Sequence, residues 1–252
     1  MSSLRKKLLT IYERLLNCYG PQCWWPAESR LEMVVGAILT QSTSWKNVEK
    51  AIANLKSEGA LDLKALYDLP AERLERLLRP SGFYMAKTKK LKAFVEHMHH
   101  NYGSSLDSFL GQDLRSLRDG LLSIYGVGPE TADSIILYAA GKPIFVVDAY
   151  THRLFSRIGL TDGGYDYRKL QLLFMDNLTP DVELFNEYHA LIVRHSTATC
   201  RKKPLCQGCV INKMCEFGKS IKDRSTKFSF KMRFPADTYV PRKFRNTVTI
   251  NT

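Results

Sequence analysis

The sequence predicts an all-α protein. Apolar residues recur at three- and four-residue spacing through most of the chain, alternating strand-like patterns are scarce before residue 226, and short Gly- and Pro-containing breakers divide the periodic stretches. The first helix spans 3–19 and is closed by Gly20-Pro21. Helices follow over 28–42, 44–57, 62–67 and 70–78, the last ended by Pro80-Ser81-Gly82. Next come 84–101, 106–110 and 113–124, then Gly126-Val127-Gly128 and a helix over 129–140 that Gly141-Lys142-Pro143 stops. The remaining helices cover 149–158, 166–178 and 181–195, with Asp162-Gly163-Gly164 between the first two.

With 252 residues and 44% hydrophobic content, the chain can fill the core of one large domain or two small ones. Its longest apolar runs, such as Met33 to Leu39 and Ile135 to Ala140, are far shorter than the roughly 20 residues needed to cross a bilayer, so no membrane segment is expected. The basic start passes at once into an amphipathic helix and not into a secretory signal core, so a cytoplasmic location is expected. The 37 Lys and Arg against 25 Asp and Glu give a net charge of +12, which suits a polyanion such as nucleic acid or simply a solvated cationic face. Half of that excess falls in residues 221–252. From 226 on, Phe228, Phe230, Phe234, Tyr239 and Phe244 alternate with Lys and Arg, as in a basic aromatic tail lying on a polyanion or an extended segment buried against the body. Six cysteines without a secretion signal argue against a disulfide framework; Cys18 and Cys23 read as ordinary thiols.

Three constellations carry chemistry. Leu121 to Ala132 reads as a helix-hairpin-helix: an apolar helix end, Gly126-Val127-Gly128, then a helix opened by Pro129 with Thr131 in its first turn. Two glycines permit close approach, so amides at the second helix's start can grip a phosphate whatever the base sequence. Twenty residues beyond Gly128, the apolar run Ile144 to Val147 ends in Asp148 at the start of a helix. It is either a helix cap or a carboxylate that activates water and stabilises an oxocarbenium-like sugar, and spacing alone leaves both open. The third is Cys200-x5-Cys206-x2-Cys209-x5-Cys215 among Arg201, Lys202, Lys203 and Lys213. Four thiolates suit a structural zinc or a 4Fe–4S cluster. One close pair flanked by longer arms favours iron–sulfur.

In this order the three elements resemble the endonuclease III superfamily of helix-hairpin-helix DNA glycosylases, over roughly residues 25–217. The resemblance implies two helical lobes with a DNA-binding cleft between them: residues 1–27 with 128–225 as the cluster lobe, 28–127 as the other, and 226–252 as a tail. It implies that Asp148 carries catalysis, that Gly126, Val127, Gly128 and Thr131 hold DNA, and that Cys200, Cys206, Cys209 and Cys215 ligate the cluster, although the first arm has five intervening residues where the family has six. Bifunctional members place a Schiff-base lysine where this chain has Glu130, so water is the expected nucleophile and an abasic site the product, with Glu130 counted in the catalytic set. Lys142 could leave weak lyase activity. The simplest expectation is a monomer acting on double-stranded DNA containing a damaged base, with a prokaryotic, nucleoid-associated location.

Gln41 matches the position at which relatives fill the gap left by an extruded nucleotide. Trp24, Trp25, Pro26 and Trp45, with Arg79 to Tyr84 and Lys87, resemble the 3-methyladenine DNA glycosylase III branch, in which aromatic rings sandwich a flipped alkylated purine. There Phe83 and Tyr84 would wedge into the duplex or fold back on their loop, and Lys87 would meet DNA. Two departures stand out: members of that branch lack the cluster, and a lysine near their pocket is replaced around Ser196 or Thr197. Tyr150, His152 and His195 fall near the expected cleft, with structural roles as the default. Removal of uracil, mismatched thymine or oxidised pyrimidine is the alternative activity. A non-catalytic DNA-damage-binding protein is the alternative of another class.

Overall fold

The computed structural model describes residues 3–161 and 163–222; the aromatic stretch 226–252 lies outside them. Among the described residues there are thirteen α-helices and no strand, as the periodicity predicts. No helix is long and apolar enough to cross a membrane. The chain divides into two compact units, 27–146 and the two chain ends, up to Pro26 and from Val147.

The middle unit holds α2 (Arg30–Leu39), α3 (Trp45–Ser57), α4 (Leu63–Asp68), α5 (Ala71–Leu78), α6 (Tyr84–Tyr102), α7 (Leu106–Leu110), α8 (Leu114–Ser123) and α9 (Pro129–Ser134). Its centre is α2, where Val34, Val35, Ala37, Ile38 and Leu39 are all buried. Two side-chain bonds start this helix: Ser29 Oγ accepts from Glu32 N at 3.1 Å, and Glu32 Oε2 accepts from Glu28 N, just before the cap, at 3.0 Å. Glu32 tolerates burial because Lys56 from α3 lies 2.9 Å away. The long α6 closes the unit, and Lys92 donates to Leu66 O and Tyr67 O, last carbonyls of α4, at 2.8 Å each.

The second unit holds α1 (Ser3–Tyr19), α10 (Ala149–Ile158), α11 (Tyr167–Met175), α12 (Val182–Ala198) and α13 (Glu216–Lys222). The two chain ends meet because α1 lies on α12. Tyr188 of α12 is fully buried; its ring sits 5.2 Å from Tyr12 and 5.7 Å from Phe174, and its hydroxyl donates to Leu8 O at 2.8 Å. One aromatic residue thus supplies apolar area and a satisfied polar end.

α9 continues into a π-helical turn, Ile135–Ala139, whose five residues are all buried and contact α2. The hairpin's second helix therefore groups with the middle unit, whereas the family resemblance implied that it belongs with the chain ends, and the passage between units falls at Val146–Val147. α8 and α9 are joined across the hairpin by Arg118, which donates to both carboxylate oxygens of the fully buried Asp133 at 2.7 and 3.2 Å. Removing one partner of a buried pair leaves the other charge poorly compensated. Arg118→Met is expected to cost about 3 kcal/mol of folding stability in urea unfolding, and Arg118→Met with Asp133→Leu to recover most of it.

Candidate active site and cysteine loop

The hairpin is built from glycines with different tasks. Gly126 adopts φ +81°, and a Cβ there would lie 2.3 Å from Lys90 Cγ, so backbone and space both demand glycine. Gly128 has an ordinary φ of −92°, and a Cβ there would meet nothing within 4 Å. The fold alone does not require glycine at 128; a phosphate approaching the backbone would. Gly128 O takes the first helical bond from Ala132 N at 2.9 Å, which opens the first turn of α9. The exposed Glu130 stands in that turn, where the helix dipole favours an anion.

Two residues expected to touch DNA support the hairpin from beneath. Val127 is buried and spends its amide on Ile124 O at 3.1 Å; Thr131 is buried and accepts from Gln41 Nε2 at 3.0 Å. Gln41 Nε2 also donates to Gly126 O at 3.2 Å, and its Oε1 accepts from Lys90. Gln41 is thus the strut between α2, α6 and the hairpin. Lys90, which no motif singled out, holds that strut in place.

Before α6 the loop exposes an apolar tip. Phe83 is 72% exposed and sits in the left-handed region at φ 46°, ψ 31°, a conformation that costs a non-glycine residue about 1 kcal/mol. It does not fold back on its loop, whereas Tyr84 is half-buried. Lys87 corrects an expectation: it is 2% exposed, and its ammonium donates to Ser81 O at 2.6 Å, so it anchors the loop from inside and is not placed to meet DNA. Burial, with Lys90 nearby, pushes its amine down to about 8.

In the other unit, Asp148 is both cap and buried carboxylate. It is the N-cap of α10, and its Oδ1 accepts from Thr151 N at 2.7 Å and Thr151 Oγ1 at 2.8 Å. Its Oδ2 lies 3.5 Å from His189 Nε2 on α12. Burial alone would push the carboxyl up; the His189 ring and the Thr151 donors outweigh it and hold the group below its ordinary value. Asp148 is 8% exposed, so it is ionised, oriented and just reachable. His189 was invisible in the sequence, because its only signal is a position 41 residues downstream on another helix.

Trp24 and Trp25 are half-buried neighbours, rings 5.6 Å apart and tilted by 59°, and Pro26 is half-buried beside them. Neither indole belongs to the sealed core. Trp45 opens α3 in the middle unit, also half-buried. His152 lies edge-on to the exposed Tyr165 at 4.9 Å, and Tyr150 lies under Arg153 at 5.1 Å. Ser196 is buried, and Thr197 Oγ1 donates to Val193 O at 2.9 Å within its own helix.

The four clustered cysteines face one cavity of about 20 Å³, open in part to solvent and otherwise walled by residues such as Leu154, Leu205, Ile211 and Phe217. Arg157 assembles the first arm: its guanidinium donates to Cys200 O at 3.2 Å, Arg201 O at 2.7 Å, Lys202 O at 3.1 Å and Cys200 Sγ at 3.3 Å. Asn212 donates to Cys206 O. Gly218 N donates to Cys215 Sγ at 3.4 Å. Burial pushes the thiols of Cys206 and Cys215 up, and that of Cys209 to about 12. His195 is fully buried against this loop, and desolvation takes its ring down to about 4.

A hairpin with one open glycine and a buried, ionised carboxylate capping a later helix is the equipment of a helix-hairpin-helix DNA glycosylase. Residues 35–180 match the model of the HhH-GPD superfamily base excision DNA repair proteins, and the chain belongs to that superfamily as a DNA glycosylase. It is 50% identical over 206 residues to a candidate DNA repair glycosylase of Methanocaldococcus jannaschii, covering 81% of this chain and 94% of that one. Among solved structures it is similar to the H. pylori 3-methyladenine DNA glycosylase bound to 1,N6-ethenoadenine, with TM-score 0.66, 28% identity and coverage of 78% and 98%. An endonuclease III–DNA covalent intermediate shares the fold, with TM-score 0.76, 19% identity and coverage of 88% and 100%.

Two outcomes follow from these environments. Asp148→Asn keeps a capping oxygen and Asp148→Ala does not, so at neutral pH the Ala variant should be the less stable by about 1 kcal/mol in urea unfolding. The carboxylate's own stabilisation over Asn is present above the ordinary carboxylate range and is lost as pH falls through its lower folded value. For Lys87, whose folded value lies below its ordinary 10.5, the unfolded chain holds the proton more tightly. The stability of the wild type relative to Lys87→Met should therefore rise between about pH 8 and about pH 10.5.

Proposed function

We propose that this glycosylase hydrolyses the N-glycosidic bond of alkylated purines, 3-methyladenine foremost, in double-stranded DNA and leaves an abasic site. The observation that carries the reading is Asp148, buried yet ionised, with one oxygen fixed by Thr151. Such a carboxylate stabilises the positive charge that develops on the sugar as the base departs and orients the attacking water. Water's oxygen forms the new bond to the sugar carbon, and its proton is taken up at Asp148. The electron pair of the broken bond stays with the base, which is already cationic through methylation and leaves as the neutral purine. No acid is needed. Glu130 stands where a Schiff-base lysine would, and a carboxylate forms no imine, so strand cleavage is not part of the main reaction.

The aromatic residues support the choice of purine. Trp24, Trp25 and Trp45 offer half-exposed electron-rich faces suited to a cationic ring, and the H. pylori relative of similar fold was solved with an adenine adduct bound. The open face at Gly128 receives a phosphate and the exposed Phe83 enters the base stack, while Gln41, expected to fill the gap left by the flipped nucleotide, instead braces the hairpin through Gly126 and Thr131. The enzyme works as a monomer on cytoplasmic, nucleoid DNA.

The same reading places a 4Fe–4S cluster on Cys200, Cys206, Cys209 and Cys215. Their thiols line one cavity, and one close pair flanked by longer arms is a donor set that suits a cluster. When bound, the cluster cross-links the loop and holds Arg201, Lys202 and Lys203 in fixed positions.

Base release from duplexes carrying 3-methyladenine, 7-methylguanine, hypoxanthine, uracil or thymine glycol tests the reading. Methylated purines should be released without strand cleavage, and Asp148→Asn should lower turnover by about 10²–10⁴-fold while DNA binding persists. Release of pyrimidines alone would overturn the substrate assignment. No release from any duplex would leave a DNA-binding protein.

A further inference from the structure

We infer that His195 is a dedicated hydrogen-bond donor to the cluster ligand Cys209, its tautomer set by Tyr19 and Thr199, and that this relay tunes the cluster's reduction potential and its retention. The inference rests on the 4Fe–4S reading above. Three side chains from α1, α12 and the turn after α12 form an unbroken line: Thr199 Oγ1 and Tyr19 Oη are 2.9 Å apart, Tyr19 Oη and His195 Nδ1 are 2.9 Å apart, and His195 Nε2 lies 3.5 Å from Cys209 Sγ.

A neutral imidazole has one N–H and one lone pair, so the line runs in one of two directions. If Nδ1 carried the proton, the Nε2 lone pair would face the sulfur, which is repulsive once Cys209 is a metal-bound thiolate. If Nε2 carries it, every polar atom is satisfied: Thr199 donates to Tyr19, Tyr19 donates to Nδ1, and the Nε2 proton points at Sγ. Ligation therefore selects the second arrangement. His195 and Thr199 are buried, so water cannot substitute for either.

The other sulfurs have donors of different standing. Arg157 reaches Cys200 Sγ, but its three carbonyl contacts make it a residue on which the loop's shape depends; the donor to Cys215 Sγ is the Gly218 backbone. His195 spends both ring nitrogens on the relay. An N–H···S bond draws charge from the ligand and favours the more negative, reduced cluster.

The test compares wild type, His195→Leu, His195→Gln and Tyr19→Phe, purified under argon, for iron and sulfide per chain, reduction potential by voltammetry, and the rate at which a chelator bleaches the visible absorption. Unfolding followed by circular dichroism monitors the fold. Expected are a cluster in wild type, a lower potential and about tenfold faster bleaching in His195→Leu, a partial effect in Tyr19→Phe, and near wild-type behaviour in His195→Gln, whose amide still donates. Wild type without iron would overturn the cluster and the relay together. Iron in wild type, with potential and bleaching unchanged in His195→Leu, would overturn the relay alone. If His195→Leu does not fold, Tyr19→Phe decides: unchanged values there overturn the relay.

Discussion

A carboxylate removed from water and still charged is the constraint around which this protein is organised. Burying an ion is unfavourable unless donors replace its hydration, and Asp148 has them from its own helix and from α12. The capping bond to Thr151 forms as soon as α10 does, so the carboxylate is oriented by secondary structure and not left as a freely turning side chain. The second support, His189, comes from a helix that must be packed correctly first. α12 in turn is fixed by α1 through Tyr188 and Leu8. The charge state of one group thus depends on joining the two ends of the chain.

Most of the fold was legible in the sequence, because amphipathic helices announce themselves by spacing and their ends by glycine, proline and capping residues. α13 was not foreseen, being short and lying just after the last cysteine. Asp148, the hairpin glycines and the cysteine quartet could be singled out as candidates because residues of that chemistry stand at particular intervals. Lys87 was misread, and the side chains of Val127 and Thr131 face inward, for one shared reason. Each lies in or near a motif associated with DNA, but whether a side chain points up to a ligand or down to the core is decided by tertiary contacts that a linear pattern does not encode. Lys90, His189 and Arg157 went unnoticed for the complementary reason: a lone basic residue on an amphipathic helix looks like a solvated face until its partner from elsewhere in the chain is known.

The cysteine loop shows how a departure from a spacing rule can be absorbed. The first arm has five intervening residues, yet Cys200 shares a cavity with the other three. Arg157 makes this possible by gathering three consecutive carbonyls of that arm onto one guanidinium, and Arg153 adds a further bond to Cys200 O at 3.0 Å. Loop shape is imposed from α10, the helix that Asp148 caps.

The contact between Gly126 and Lys90 also bears on how such a sequence can change over time. Any side chain at 126 would displace the Lys90 stem, which would release Gln41, and with it the brace on Thr131. The three positions lie 85 residues apart at their extremes, in the turn after α2, on α6 and in the hairpin, yet substitutions among them cannot be tolerated independently. Drift at any one is conditional on the others, so the hairpin, often treated as a portable twelve-residue motif, is inherited here together with a lysine and a glutamine that lie well outside it.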